Sequence, residues 1–158
     1  MNSGKLILLA EDSEDEELFF RYAMRRAGLR NPVVAVRNSR DTIAYLKGEY
    51  HYADRQSFPL PDILLLDLMM PGGWEVLLWV RSQAEFNDML LVVLTGPVRV
   101  EDLQRAYRMG ANSFLVKRCS ATDLADLASC FPKHWIRSSS LETPGPITNS
   151  PPSPISPS

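Results

Sequence analysis

Five short apolar runs punctuate the chain, and after each of them apolar residues recur at helical spacing. Leu6 to Ala10, Val33 to Val36, Ile63 to Leu66, Leu90 to Leu94 and Ser113 to Val116 read as strands. The first and third are unbroken runs, the pattern of strands buried on both faces of a parallel sheet. Between them, Phe20, Ala23, Met24 and Ala27 form one stripe, entered through Ser13 and stopped near Gly28. A second helix opens at Ser39 and carries Ile43, Ala44 and Leu46. A third starts at Gly73 and is apolar over most of its circumference (Trp74, Val76, Leu77, Leu78, Trp79, Val80). Such a helix is buried or lies in an interface, so Trp74 and Trp79 are expected either under the loop before the third strand or on a partner surface. Val100, Leu103 and Tyr107 mark a fourth helix ending at Gly110. Leu124, Leu127, Ala128 and Phe131 share a face of a fifth, opened by a Ser120/Asp123 capping box. Strands alternating with helices imply right-handed crossovers and a parallel sheet.

Residues 48 to 61 break this rhythm and read as a long surface loop, with His51 as a solvated loop histidine rather than a ligand or base. From residue 137 the chain is mainly Ser, Pro, Thr and Gly, with almost nothing to bury, so 137–158 is expected to be a disordered tail behind a domain over 1–136.

Composition narrows the class of function. The 158 residues are 45% hydrophobic and 23% charged, ordinary values for one globular domain. The net charge of -2 and the absence of a basic run argue against nucleic acid. Neither a signal peptide nor a run of membrane-spanning length is visible. Cys119 and Cys130 have no metal-ligand spacing and read as reduced thiols of a cytoplasmic protein.

The chemistry lies where the strands end. Glu11 and Asp12 follow the first strand, Asp67 the third, Thr95 the fourth and Lys117 the fifth. Ligands of open α/β sheets collect outside the carboxyl ends of the strands. Three carboxylates meeting there repel unless a divalent cation binds, and Mg2+ suits them because it keeps waters free for a phosphate. Asp67 is placed as the nucleophile of an aspartyl phosphate, with Lys117 and Thr95 to neutralise the transferred group.

These residues resemble the receiver domains of bacterial two-component response regulators. Leu9-Ala10-Glu11-Asp12 matches the acidic pair of that family, Leu66-Asp67-Leu68-Met69-Met70-Pro71 the phosphoacceptor turn, Leu94-Thr95-Gly96 the hydroxyl position, and Phe114-Leu115-Val116-Lys117 the switch aromatic and lysine. The likeness spans roughly residues 4 to 136. It implies a flavodoxin-like, doubly wound, five-stranded parallel sheet with helices on both faces. It also implies phosphorylation of Asp67 by a histidine kinase, and Mg2+ held by Asp12, Asp67 and the carbonyl of Met69, with Glu11 acting through water. Thr95 and Phe114 would be the switch pair. The long loop before the third strand is similar to that of single-domain regulators that pair with phytochrome-type kinases. Output is then expected through association, as phosphate relay, homodimerisation or docking, rather than catalysis of an external reaction.

Three departures from the pattern stand out. Met69 replaces the polar residue common at its position, the turn after Pro71 is short, and Arg118 replaces the usual proline after Lys117. Without proline a cis bond costs about 2.5–4 kcal/mol, so a trans or strained bond is expected there. Two other functions compete. One is a receiver-like interaction module that does not turn over phosphate. The other is a small hydrolase, disfavoured because no second aspartate follows Asp67 by two residues and no Gly-rich phosphate loop follows the first strand.

Overall fold

In the computed structural model, which describes residues 5–97 and 99–138, five parallel strands alternate with five helices. They are β1 (Ile7–Ala10), α1 (Glu14–Arg26), β2 (Val33–Val36), α2 (Ser39–Lys47), β3 (Ile63–Asp67), α3 (Gly73–Ser82), β4 (Leu90–Thr95), α4 (Val100–Arg108), β5 (Ser113–Val116) and α5 (Ala121–Cys130). The sheet order is β2-β1-β3-β4-β5, the flavodoxin-like order, with β3 at the centre. Asp67 pairs with Leu94 and Thr95 with Val116, so the chemically distinctive strand ends fall in neighbouring rows.

Alternation along each strand feeds two cores. Leu8, Ala10, Leu64, Leu66, Leu91 and Val93 face α2 and α3, where Leu46, Val76, Leu77 and Val80 meet them. Ile7, Leu9, Ile63, Leu65, Val92 and Leu94 face α1 and α5, against Phe20, Met24, Leu124 and Leu127. All of β1 and β3 is buried, as unbroken apolar runs require. At about 1.5–3 kcal/mol per fully buried aliphatic side chain, this double core dominates the folding energy.

Capping follows local chemistry. Ser13 accepts a hydrogen bond from the Glu16 amide, and Ser120 with Asp123 makes the full capping box. At α2 the cap is Asn38, not Ser39: the Asn38 side chain accepts from the Asp41 amide at 2.7 Å. Ser39 is the first helical residue, and its hydroxyl donates to the Pro71 carbonyl, tying α2 to the turn after β3.

Three other regions depart from expectation. Residues 48 to 61 are packed rather than loose, with Tyr52 buried in a one-turn 3-10 helix and Phe58 edge-on to it at 5.3 Å. Arg55 donates to the carbonyls of Tyr45, Leu46 and Phe58, and so closes the end of α2. Both α3 tryptophans are half-buried, and Glu49 of this loop shares a cavity wall with Trp79. Trp79 packs on Phe86, and Trp74 lies under the Arg105 guanidinium, 4.2 Å from its ring centre. In α4 the residue that enters the core is Ala106, while Val100 and Tyr107 are exposed. The spacing that marked this helix holds, and Val100 and Tyr107 lie on its outer face.

The end of the domain also shifts. Trp135 is buried, and Asn31 donates to the carbonyls of Lys5 and His134 while accepting from the Ile136 amide. Arg137 bridges to Leu29, and the Ser138 amide donates to Gly28. These two residues, expected in the tail, belong to the folded edge. The rest of the predicted tail lies outside the described residues. No helix among the described residues is long and apolar enough to cross a membrane, and Cys119 and Cys130 are free thiols.

Candidate phosphoacceptor site

Asp67 is the last residue of β3 and only 1% exposed. Its Oδ1 accepts the Met69 amide at 2.8 Å, a bond made inside the turn that leaves the strand. Its Oδ2 accepts from Lys117 Nζ at 2.8 Å. Both carboxylate oxygens are thus held, one by backbone and one by charge. The turn is tight because of Gly72 and Gly73. Gly72 has φ 81°, and a Cβ on Gly73 would fall 2.7 Å from the Asp67 carbonyl oxygen.

Glu11, directly after β1, is equally buried, while Asp12 is exposed at the mouth. Carboxylate oxygens of Glu11, Asp12 and Asp67 lie within 4.8 Å of one another. Lys117 Nζ is 2.8 Å from Glu11 Oε1 as well as from Asp67, and the Ser13 amide donates to Glu11 Oε2 at 3.2 Å. One lysine therefore bridges two of the three clustered acids. Burial, reinforced by the charge of Asp67 and only partly offset by Lys117, raises the Glu11 carboxyl to about 7. Burial pulls Lys117 the other way, but its bonds to Asp67 and Glu11 outweigh it and keep the ammonium above its ordinary range. An all-oxygen set with surplus negative charge fits a hard divalent cation, with Asp12 open to solvent and Asp67 inside.

Thr95 ends β4, fully buried, and its hydroxyl has no hydrogen-bond partner among the described residues. A buried hydroxyl without a partner is costly and suits a group that completes the site. The amide of Lys117 donates to the Thr95 carbonyl at 2.7 Å, fixing the two strand ends together. Phe114 on β5 is half-buried and meets Tyr107 of α4 edge-on at 6.3 Å. Met69 projects into solvent at 68% exposure. The Lys117–Arg118 bond is cis rather than trans, and Lys117 reaches both acids.

Glu11, Asp12, Asp67 and Lys117 therefore come together, with Thr95 beside them at the end of the next strand. His51 stands apart, stacked on Tyr52 at 3.9 Å. Sequence reasoning missed the rim residues Phe19 and Glu16, whose only signal was their place in the first turns of α1. It also missed Trp74 and Asp102, which line a small cavity with Thr95 and Met69.

A doubly wound sheet with an acidic, lysine-bearing pocket at its central strand ends has the layout of the ligand sites of open α/β sheets. The model of the response regulator receiver domain matches residues 7–129, and the chain belongs to that family. Response regulator Rcp1 of Synechocystis sp. is 25% identical over 142 residues, covering 89% of this chain and 95% of its own. A Mn2+-bound structure of Rcp1 aligns over 80% of this chain and 90% of that one, with a TM-score of 0.65 at 25% identity. Response regulator RPA3017 in red light signaling of R. palustris is similar at a TM-score of 0.72 and 27% identity, covering 85% of this chain and 96% of its own. The phosphorylated cyanobacterial phytochrome response regulator RcpA is similar at 0.68 and 27%, covering 84% and 94%.

Proposed function

We propose that this chain is a phosphorylation switch in which Asp67 takes a phosphoryl group from the phosphohistidine of a sensor kinase and the modified protein signals by changed association. The observation that carries this reading is the convergence of Glu11, Asp12 and Asp67 within 4.8 Å, bridged by Lys117 at 2.8 Å from both Glu11 and Asp67. Asp12, Asp67 and the Met69 carbonyl would hold Mg2+, with Glu11 acting through a water. When bound, the ion offsets the negative charge gathered between acceptor and incoming phosphate.

The protein's own groups supply the rest. The Met69 amide and Lys117 fix the plane of the Asp67 carboxylate, which suits in-line attack by one of its oxygens. Lys117 then faces the phosphoryl oxygens, and the unpartnered Thr95 hydroxyl donates to one of them. Movement of Thr95 would draw Phe114 inward and alter its contact with Tyr107, carrying the change to the outer face of α4 and β5. Transfer onto Asp67 and its later hydrolysis are the reactions these groups would assist.

The likeness to regulators titled for phytochrome and red-light systems supports a phytochrome-type kinase as the donor. Homodimerisation, relay or docking is the expected output, in the cytoplasm and without nucleic acid or membrane. Incubation with acetyl phosphate and magnesium should add one phosphoryl group to the protein, visible by intact mass, and Asp67→Asn should abolish it. An unmodified wild-type protein would favour an interaction module without phosphoryl turnover.

A further inference from the structure

We propose that Arg118 is an anion-receiving arm of this site, parked on α1 and free to turn its guanidinium toward the phosphoryl donor; this rests on the phosphoacceptor reading above. Lys117 is already committed, because its ammonium is 2.8 Å from both Glu11 and Asp67. Among the described side chains Lys117 is the cation that touches these acids, and it is shared between two of them, so an incoming phosphate adds negative charge that a cation at the rim would help a bound Mg2+ to offset. Arg118 is the next residue, and it lines a narrow, mainly apolar crevice beside the acceptor pocket, with Lys117, Glu11, Glu16 and Phe19 in front and Leu9, Phe20 and Leu94 behind.

Its present contacts hold it loosely and leave its fork unused. The guanidinium lies 3.9 Å over the Phe19 ring, and Nε donates to Glu16 Oε2 at 3.1 Å. The two terminal nitrogens make no hydrogen bond among the described residues, and the side chain is 53% exposed. An exposed pair of this kind is weak and easily exchanged, whereas the planar fork matches a phosphate bidentately. Phe19 acts as a platform that keeps the arm beside the opening, and Glu16 competes with the donor for it.

The step itself balances without further reactants. With acetyl phosphate, an Asp67 carboxylate oxygen forms the new bond to phosphorus as the bond from phosphorus to the acetyl oxygen breaks. Acetate leaves with that electron pair. Arg118 acts only on the negative charge of the non-bridging oxygens, so its effect should fall on donor capture.

The test measures phosphoryl uptake by the full chain against acetyl phosphate concentration, in magnesium, at low and high salt. Arg118→Ala should raise the apparent KM about tenfold, the worth of one charge-assisted bond, with a smaller change in maximal rate. Arg118→Lys should recover part of the loss, and Glu16→Gln, which frees the arm, should lower KM about two- to threefold. These differences should shrink at high salt. A donor-free readout accompanies them: magnesium affinity, followed by Trp fluorescence, should tighten in Arg118→Ala because a cation at the rim has gone. Equal KM values for wild type and Arg118→Ala, or Glu16→Gln impaired alongside Arg118→Ala as a mere structural clip requires, would overturn the proposal. Absence of uptake by wild type would instead overturn the reading on which it rests.

Discussion

Replacing Glu11 with Gln should flatten the pH dependence of the protein's stability in metal-free buffer. Glu11 is 1% exposed and shares its pocket with two other carboxylates, and burial raises its carboxyl from 4.5 to about 7. The folded protein therefore holds a proton on Glu11 where the unfolded chain has lost it. A group with a raised folded value contributes stability that is complete below 4.5 and is lost as pH climbs toward 7. At 1.36 kcal/mol per unit, the raise corresponds to about 3 kcal/mol at most, and relaxation of Lys117 and Asp67 makes about 2 the expected loss.

Other shifted groups leave this window readable. Asp62, raised by burial, adds to the same decline but starts from its ordinary 3.8. Glu17 is pulled down by Arg21 and Arg37 despite its burial, so its contribution is lost only as pH falls below the usual carboxylate range. Lys117, held above its ordinary 10.5, loses its contribution only at higher pH still. Urea unfolding of chelator-treated protein from pH 5 to 8 should show wild type losing about 2 kcal/mol and Glu11→Gln losing much less. Saturating magnesium should remove the decline in wild type, because the ion favours ionised carboxylates. Parallel curves for the two proteins, or wild-type stability rising with pH, would refute the reasoning.

Three further perturbations test the scaffold. Gly73→Ala should destabilise by about 1–3 kcal/mol in urea and slow phosphoryl uptake, since its Cβ would press on the Asp67 carbonyl at 2.7 Å and displace the turn. Arg81 donates to the carbonyls of Gly110, Phe86 and Met89 and to Asn112, so Arg81→Met should cost about 3 kcal/mol of unfolding free energy. Asn31→Ala cuts the bonds to Lys5, His134 and Ile136, and should speed hydrogen exchange across residues 131–138 well before the sheet core exchanges.

The strands and the meeting of Glu11, Asp12, Asp67 and Lys117 were legible because burial and chemistry coincide at the strand ends. Unbroken apolar runs at Leu6 to Ala10 and Ile63 to Leu66 read as strands buried on both faces of a parallel sheet, and the acids that follow them then share an edge with the lysine that follows the last strand. What failed were judgements about single faces. Val100 and Tyr107 mark α4 by their spacing, but spacing alone does not say which side faces inward, and the buried residue is Ala106. Asn38 outcompeted Ser39 as a cap through a difference of one residue, which spacing does not resolve. The packed loop of Tyr52, Arg55 and Phe58 was hidden because its order comes from contacts with α2, far from any local periodicity. Arg118 looked only like a missing proline, and its place over Phe19 depends on two elements that are distant in sequence.

The central claim is that distant acids and one lysine make Asp67 a phosphate acceptor. Borohydride trapping after acetyl phosphate treatment, followed by peptide mass mapping, tests it most directly, since an acyl phosphate is reduced to an alcohol at the residue that carried it. The account predicts a magnesium-dependent conversion at Asp67 alone, lost in Lys117→Ala. Labelling of Glu11 or Asp12 instead, or at Asp67 without need of a divalent ion, would contradict it.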